Sequence, residues 1–547
     1  MLVQTWLQKN KLLLLMLGIG IIVVLWKLLL PGYVLTLDMA PGRQVPFPRI
    51  GLGGYWNAAL FRWPMYVLGL VVPSWVVQKL TFLGLFITLP LCGFRSILPS
   101  SSTRTRIWIA LFYTINPFVY TRFLAGQWTI LVAYSFLPLV WHFATKLKEG
   151  EKRSAIFLGL ALLGTFAFSL HIGVIALFVW AFALLGWMSI RSVRAWAMNV
   201  LAGAVLVVGS LYWLIPAFVR KGSSLLEIID VRHIEAFRTT TDPLLGTIGN
   251  VLALGGFWGE REIWANRFIW PMRTQPVLWG IAGGVLAALI VWGIVSTLRK
   301  QELRRQGTAL LALGACALVF SCGVGDSIFS SINEWLFTHV GFWNGFRDSQ
   351  KWSGVLVLVY AYFGGRGIDA LRDAPRRQLI VTVAGILATL TFTYPMLFGF
   401  WGQLKPVWYP DSWYQANEVL KRDKDCKALF LPWHAYFTLK FNRDLLTASP
   451  ARDFFDCELV MSRQIEIGGI GQQGPLDPAY DAIEGVVTGK DGWNPEQSLA
   501  LLRQSGIRYV IFAHDIKEQD QWRYDFLNQP SLKLYTWDGL TLYQLTN

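Results

Sequence analysis

Long apolar runs alternate with short polar connections over the first 400 residues. Each run has about 17–25 residues, which is enough for a helix to cross a bilayer core of about 30 Å. The pattern therefore predicts a polytopic α-helical membrane protein with about 11 transmembrane helices. They are expected near residues 11–31, 75–97, 106–121, 128–145, 154–170, 172–190, 196–218, 276–298, 307–323, 351–366 and 378–400.

The periodicity changes after residue 400. Lys427–Trp433 and Ile507–Phe512 are typical of buried strands, and Pro495–Gln504 is typical of an amphipathic helix. Asp538-Gly539, between two short strand-like segments, predicts a β-hairpin. We expect residues 401–547 to form a soluble α/β or α+β domain that follows the multi-span domain of residues 1–400.

Composition supports this division. The chain is 54% hydrophobic and only 15% charged, with a mean hydropathy of +0.43, whereas soluble domains carry about 25% charged residues. Residues 1–400 contain 34 Lys and Arg against 15 Asp and Glu, and residues 401–547 contain 15 against 19. Because the basic residues are scattered between apolar runs and form no single patch, nucleic acid is not an expected partner.

Basic residues also predict the orientation. They recur in every second connection between the expected helices, as is typical of cytoplasmic loops. This phase places the N-terminus in the cytoplasm, and an odd number of helices then makes the C-terminal domain extracytoplasmic. The long connections 31–74 and 219–275 become outer loops. The basic groups are Lys9 and Lys11, Arg104 and Arg106, Lys146 to Arg153, Arg191 and Arg194, Arg299 to Arg305, and Arg366 to Arg377.

Two of the five cysteines, Cys426 and Cys457, fall in the expected outer domain. A disulfide between them suits an oxidising compartment. Two free thiols are the alternative, because sequence alone does not establish a pairing.

Asp38 is the only acidic residue before Glu149, and it follows shortly after the first expected helix. A carboxylate near a membrane surface can act as a general base on an acceptor hydroxyl or hold a divalent cation. Alternatively, Asp38 is a turn residue ahead of Pro41-Gly42.

The whole layout resembles the GT-C class of integral membrane glycosyltransferases. The shared features are an Asp soon after the first helix, a long first outer loop, many helices with basic inner loops, and an outer C-terminal domain. Asn116–Tyr120 with Gly126–Trp128, and Phe346–Trp352, resemble the branch of arabinofuranosyltransferase-like proteins.

This resemblance implies a transferase that takes a sugar from a polyprenyl-phosphate donor on the extracytoplasmic face. The acceptor would be a glycan, lipid or protein of the cell envelope, and the protein would also contact membrane lipids. Asp38 would be the catalytic base. The first loop lacks a second acid, so a Mg²⁺ or Mn²⁺ cofactor stays an open question, with Asp38 and Glu260 as its candidate ligands.

A lipid-linked phosphate leaving group needs nearby cations. Arg347 and Lys351, four residues apart at the start of an expected helix, and Arg122 are the candidates. Alternatively, Arg347 pairs with Asp348, or Arg347 and Lys351 contact lipid head groups.

Six further residues are candidates for substrate contact. They are His171, Gln127, Trp128, Asp348, Arg43 and His233. Interfacial anchoring is the alternative for Trp128, and a structural role at a helix junction is the alternative for His171. The segment Pro432–Tyr436 is polar and aromatic enough to touch carbohydrate, or it is simply a packed strand end. The alternative function is a lipid-linked saccharide transporter or a non-catalytic envelope-assembly protein.

Overall fold

The computed structural model describes residues 11–48, 56–187, 192–219, 231–262, 269–463, 478–489, 494–517, 524–528 and 532–545. Parts of both expected outer loops, and Lys9, Arg191 and residues 220–230, therefore lie outside the described residues. The helices before residue 400 are α1 (Lys11–Leu25), α2 (Ala59–Gly69), α3 (Ser74–Ser96), α4 (Thr103–Thr114), α5 (Pro117–Leu124), α6 (Trp128–Ser135), α7 (Leu137–Lys146), α8 (Lys152–Phe168), α9 (Leu170–Trp187), α10 (Val193–Val219), α11 (Val231–Ala236), α12 (Gly246–Leu252), α13 (Gly259–Glu262), α14 (Pro271–Thr274), α15 (Pro276–Arg299), α16 (Gln301–Cys322), α17 (Ser330–His339), α18 (Ser353–Asp369) and α19 (Pro375–Phe392).

Five helices of the described part are long and apolar enough to cross a membrane. A sixth crossing results if α19 and the segment Tyr394–Phe400, which are bent by 73° relative to each other, form one span. These helices support a membrane protein, and the total of about 11 crossings stays a prediction. The five are Ser74–Ser96, Trp128–Glu149, Val193–Val219, Pro276–Arg299 and Gln301–Cys322.

The expected helix 106–121 was wrong in its continuity. The run 106–121 divides into α4 and α5, because Ile115 is extended and Asn116 starts a new helix. The Asn116 side chain accepts a hydrogen bond from the Val119 amide at 3.0 Å, and Pro117 occupies the first position of α5. This break turns the chain so that Arg122 and Gln127 lie beside the first outer loop.

The C-terminal domain has a mixed sheet. Its strands are β1 (Lys427–Leu431), β2 (Tyr436–Leu439), β3 (Leu445–Ala448), β4 (Glu458–Val460), β5 (Tyr509–Ala513), β6 (Lys533–Trp537) and β7 (Leu540–Gln544). Five strands lie in the order β4-β1-β5-β7-β6, in which β1 is parallel to β4 and β5. The antiparallel pair β6 and β7 confirms the hairpin expected at Asp538-Gly539. A second, two-stranded antiparallel sheet consists of β2 and β3.

Helices cover both faces of the five-stranded sheet. Successive residues of β1 point to opposite faces. Phe430 packs in one apolar core with Trp413 of α20 (Asp411–Leu420). Leu429 packs in the other with Ile483 of α22 (Pro478–Thr488) and Leu499 of α23 (Pro495–Gln504). The sequence pattern predicted the helix α23. One more short helix, α21 (Ala451–Phe454), precedes β4. A disulfide joins Cys426 and Cys457, whose Cα atoms are 5.1 Å apart.

The expected first outer loop contacts both halves of the molecule. Tyr33 exchanges two backbone hydrogen bonds with Val407, at 2.7 and 2.8 Å, and its ring lies in the same apolar core as Trp413. Further along, Arg43 forms an ion pair with Asp456. The loop that carries Asp38 is therefore packed between the membrane helices and the C-terminal domain.

Candidate functional site

A tight turn presents Asp38. The backbone amide of Thr36 donates to the carbonyl of Met39 at 2.9 Å, and the amide of Met39 donates back at 2.7 Å, which leaves Leu37 and Asp38 at the tip. The amide of Asp38 donates to the carbonyl of Ala125 at 3.0 Å, and the carbonyl of Leu37 accepts from the amide of Ala448 at 2.7 Å. The turn is thus fixed on one side by the α5 end and on the other by β3.

Gly126 permits this close approach. Its φ is +74°, and a Cβ at this position would lie 2.5 Å from the backbone nitrogen of Met39. Only glycine adopts this conformation at low cost. The Gly126–Trp128 segment therefore has a structural reason for beginning with glycine.

The Asp38 carboxylate has two side-chain partners. Gln127 Nε2 donates to Asp38 Oδ2 at 2.9 Å, and Tyr436 Oη donates to Asp38 Oδ1 at 2.9 Å. Gln127 comes from the start of α6, and Tyr436 is the first residue of β2 in the C-terminal domain. The carboxylate stays exposed to solvent, so it faces an open cleft between the two halves.

The cleft changes the acidity of this group. Although its oxygens are accessible, the surrounding protein removes most bulk water, and this desolvation raises the pKa of Asp38 above its usual range. The hydrogen bonds from Gln127 and Tyr436 oppose the increase. Asp38 therefore accepts a proton more readily than an aspartate that is fully surrounded by water.

Behind Asp38 lies a buried network centred on Arg122, whose side chain is fully buried. Arg122 forms a bidentate pair with Asp348, with Nη2 at 2.9 Å from Oδ1 and Nη1 on Oδ2. Its Nη1 also donates to Gln127 Oε1 at 2.7 Å, and its Nη2 donates to Gln350 Oε1 at 2.5 Å. Arg122 therefore orients Gln127, and through it Asp38, with both of its terminal nitrogens already bound to protein groups, while its buried Nε has no hydrogen-bond partner among the described residues.

Lys351 connects this network to the cleft. Its ammonium lies 3.7 Å from Asp348 Oδ2 and acts electrostatically on Asp38. Burial disfavours the charged form of Asp348, but Arg122 and Lys351 outweigh burial and lower the pKa of Asp348 to about 2. Asp348 is thus ionised at neutral pH, and it neutralises one of two adjacent cations.

Arg347 and His171 lie on the same side of the site. The Arg347 guanidinium carbon is 4.7 Å from the centre of the Phe237 ring, which holds it against the second outer loop. The His171 ring is 5.5 Å from that of Phe346, edge to face. Arg347 and Lys351 lie in and beside the short 3₁₀ turns that precede α18, and they do not share one face of a regular helix.

Other sequence candidates lie elsewhere. Arg43 pairs with Asp456 in the contact with the C-terminal domain. The Trp128 ring packs edge to face on Phe61, 5.6 Å away. His233 is buried within α11. These three residues have structural surroundings, and none has a described contact with Asp38.

Glu260, the other candidate metal ligand, has a hydrogen-bond partner of its own. Its carboxylate accepts the amide of Phe257 at 3.0 Å, and burial raises its pKa to about 7. In the described ranges, no three His, Cys, Asp or Glu side chains form a group suited to a metal ion. Asp38 contacts an amide and a phenol, which are donors to it, so this donor set does not fit Mg²⁺ or Mn²⁺, which prefer several oxygen ligands.

Sequence reasoning overlooked two partners. Tyr436 was expected to touch carbohydrate if it had a function, but its hydroxyl binds the Asp38 carboxylate. Gln350 was not singled out, although it is the third side chain that binds Arg122, together with Asp348 and Gln127. Its position within Phe346–Trp352, next to two charged candidates, was the available signal.

The fold is shared with a solved membrane glycosyltransferase. The cryo-EM structure of the arabinofuranosyltransferase AftD from Mycobacteria is similar with a TM-score of 0.66 and 15% sequence identity, over 98% of this chain and 40% of AftD. A mutant form of AftD gives a TM-score of 0.63 and 14% identity, over 98% of this chain and 42% of that one. At this identity the similarity establishes a common fold, and this chain spans about 40% of the length of AftD.

No protein-family model matches the sequence, and no curated protein matches it either. The similarity to AftD supports the GT-C-like layout expected from the sequence. The particular branch stays a prediction.

Proposed function

We propose that this protein is a membrane glycosyltransferase of the GT-C type. It would move a sugar from a polyprenyl-phosphate donor to a cell-envelope acceptor on the extracytoplasmic face. The observation that supports this most is the solvent-accessible Asp38 carboxylate, oriented by Gln127 and Tyr436 beside the cation Lys351. The common fold with AftD is consistent with the same class of reaction.

In the proposed step, Asp38 takes the proton from an acceptor hydroxyl. The hydroxyl oxygen forms a bond to the anomeric carbon of the donor sugar, while the bond from that carbon to the phosphate oxygen breaks. The electron pair of the broken bond stays on polyprenyl phosphate, which leaves as an anion. A raised pKa suits Asp38 to this role, because a base is most effective when its pKa approaches the working pH.

Lys351 and Arg347 would stabilise the negative charge that develops on the leaving phosphate. Lys351 has three N–H donors, so its contact with Asp348 leaves capacity for a phosphate oxygen. Arg122 differs from our sequence expectation, because both of its terminal nitrogens already bind Asp348, Gln127 and Gln350, and its side chain is fully buried. We propose that Arg122 is a positioning residue and does not touch the donor.

Asp38→Asn tests the proposal. The amide keeps the shape of the side chain but does not accept a proton, so we expect sugar transfer to fall by about 10²–10⁴-fold. Transfer from a radiolabelled polyprenyl-phosphate sugar to membrane acceptors would be measured, together with expression and the melting temperature in detergent.

The matched control is Asp425→Asn, an exposed acid of the C-terminal domain outside the site. We expect it to behave as wild type. If Asp38→Asn retained full transfer activity, Asp38 would not be the base. The non-catalytic alternative would be favoured by a different result. In that case neither wild type nor Asp38→Asn would transfer sugar from any donor, and both would restore envelope assembly in a deletion strain.

A further inference from the structure

A cavity of about 330 Å³ lies next to the Asp38 turn, and the proposed chemistry does not use it. Its walls come from the first outer loop, the end of α5, the segment that follows α19, and the β2–β3 unit of the C-terminal domain. Its volume lies at the small end of the range for ligand sites in proteins. The polar and aromatic groups in its lining are Thr36, Trp401, Gln403 and Arg443.

Two walls of this cavity have unusual backbone conformations. Among the described residues, six that are not glycine have a positive φ, and five of them belong to two turns at the cavity. Phe398, Phe400 and Trp401 have φ of 53–55° in one turn, and Arg443 and Asp444 have φ of 57° in the other. Such conformations are unfavourable for side-chain-bearing residues and concentrate at functional sites.

The two turns are joined to each other and aim specific groups at the cavity. Arg443 Nη1 donates to the carbonyl of Gly402 at 3.0 Å. Trp401 is 49% exposed although Tyr394 and Phe398 pack against its ring, so part of its indole is available as a flat apolar surface. Tyr120 Oη donates to Gln403 Oε1 at 2.7 Å, which fixes the orientation of the Gln403 amide.

This combination of groups suits a sugar ring. A sugar has an apolar face that stacks on an aromatic ring, and hydroxyls that accept and donate hydrogen bonds around its edge. Arg and Gln side chains supply planar donors for such hydroxyls. A single exposed arginine beside an indole and an amide is thus matched to a neutral or weakly anionic saccharide.

The cavity is close to the proposed base. Thr36 lines it and is two residues from Asp38 in the same turn, so their Cα atoms are within about 7 Å. Leu445, on the opposite wall, lies in β3, which pairs with the strand that carries Tyr436. A ligand in the cavity would therefore lie next to the turn that carries Asp38.

We propose that this cavity is an acceptor subsite, which binds a sugar unit of the acceptor glycan by stacking on Trp401 and hydrogen bonding to Arg443 and Gln403. The inference rests on the proposed transferase function. A sugar held here would present the hydroxyl of a neighbouring unit to Asp38. The subsite would contribute to the affinity for the acceptor and not to that for the lipid-linked donor.

Steady-state kinetics test the subsite in the full-length protein. We expect Trp401→Ala and Arg443→Ala each to raise the KM for the acceptor about tenfold, with the KM for the donor and the kcat at saturating acceptor within about twofold of wild type. The matched controls are Trp335→Ala, an exposed tryptophan elsewhere, and Arg422→Ala, an exposed arginine of the C-terminal domain. An unchanged KM for the acceptor, or an equal rise in the KM for the donor, would overturn the proposal.

Direct binding separates the subsite from the catalytic proposal. Saturation-transfer NMR would be recorded on the full-length protein in detergent with four tetrasaccharides, built of arabinofuranose, mannose, galactose and glucose. We expect at least one to bind wild type and Asp38→Asn equally, and to bind Trp401→Ala and Arg443→Ala at least tenfold more weakly. Binding without any transferase activity would reject the proposed function and keep the subsite. Absence of binding by all four, or equal binding by the cavity variants, would reject the subsite, whatever the activity.

Discussion

Asp38 is held by hydrogen-bond donors from two distant parts of the chain. Gln127 binds one carboxylate oxygen and Tyr436 binds the other. Desolvation raises the pKa of Asp38, and both hydrogen bonds lower it. The acidity of the proposed base is therefore a balance that a single hydroxyl group can alter.

Tyr436→Phe should shift this balance. Because the Tyr436 hydrogen bond favours the ionised carboxylate, its removal raises the pKa of Asp38 further. A base acts only when deprotonated, so the acidic limb of the profile of kcat/KM against pH should move to higher pH. We expect activity to fall about fivefold on the acidic side of the profile, by the free energy of one hydrogen bond, and less at alkaline pH.

Tyr535→Phe is the control, because Tyr535 is an exposed residue of β6, an edge strand of the five-stranded sheet, whereas Tyr436 lies in the separate β2–β3 sheet. Its pH profile should match wild type. A Tyr436→Phe profile that is lowered equally at every pH would instead indicate that Tyr436 acts on the substrate or on the stability of the fold.

Arg122 and Asp348 show what sequence reasoning can provide for single residues. Both were singled out, since charged residues are sparse in the membrane half, but sequence did not reveal that they pair with each other. The pairing depends on the break before Asn116 and on the 3₁₀ turns after residue 340, which bring residues 226 positions apart into contact. A buried pair of this kind fixes geometry more reliably than it adds stability.

At the scale of elements, the turn Thr36–Met39 and the end of α5 form one unit. Gly126 is their contact point, because any side chain there would collide with Met39. Sequence predicted the helices well and their interruptions poorly. A hydropathy pattern responds to apolar length, whereas the break at Ile115-Asn116 depends on one cap and one proline within an apolar run.

Gly126→Ala should push the turn Thr36–Met39 away from the end of α5. The added methyl group would displace Met39, and with it Asp38, and a displacement of about 1 Å at a catalytic group costs on the order of 10²-fold in rate. Transfer activity and the melting temperature would both be measured. We expect a large loss of activity with only a small decrease in melting temperature.

Gly84→Ala provides the comparison, since a Cβ at this position in α3 would have no heavy atom within 4 Å. We expect it to retain wild-type activity. Full activity in Gly126→Ala would show that the turn tolerates displacement, and would weaken the case for Asp38 as a precisely positioned base.

At the scale of the whole molecule, the C-terminal domain completes the site. The first outer loop adds Tyr33 and Leu35 to the apolar core of that domain and pairs Arg43 with Asp456. Sequence predicted the domain and its hairpin, because local patterns encode strands and turns. It did not predict the domain's contact with Asp38, because no local pattern encodes a contact between residues 38 and 436.

A charge exchange tests this contact. Arg43→Asp puts like charges together at Asp456, so we expect weaker docking of the domain and lower transfer activity. The double variant Arg43→Asp with Asp456→Arg should recover most of the loss, with a coupling free energy of at least about 0.5 kcal/mol in thermal unfolding. If Arg43 instead touched substrate, the double variant would be as inactive as the single one.

The hydrogen bond between Tyr436 and Asp38 joins residues 398 positions apart. At a synthesis rate of about 5–20 residues per second, the partner of Asp38 appears roughly 20–80 s after Asp38 itself. During that interval the membrane helices are present without a finished site. If Asp38 is the base that we propose, a nascent chain would therefore be inert, and activity would begin only when the domain that carries Tyr436 has folded against the first loop.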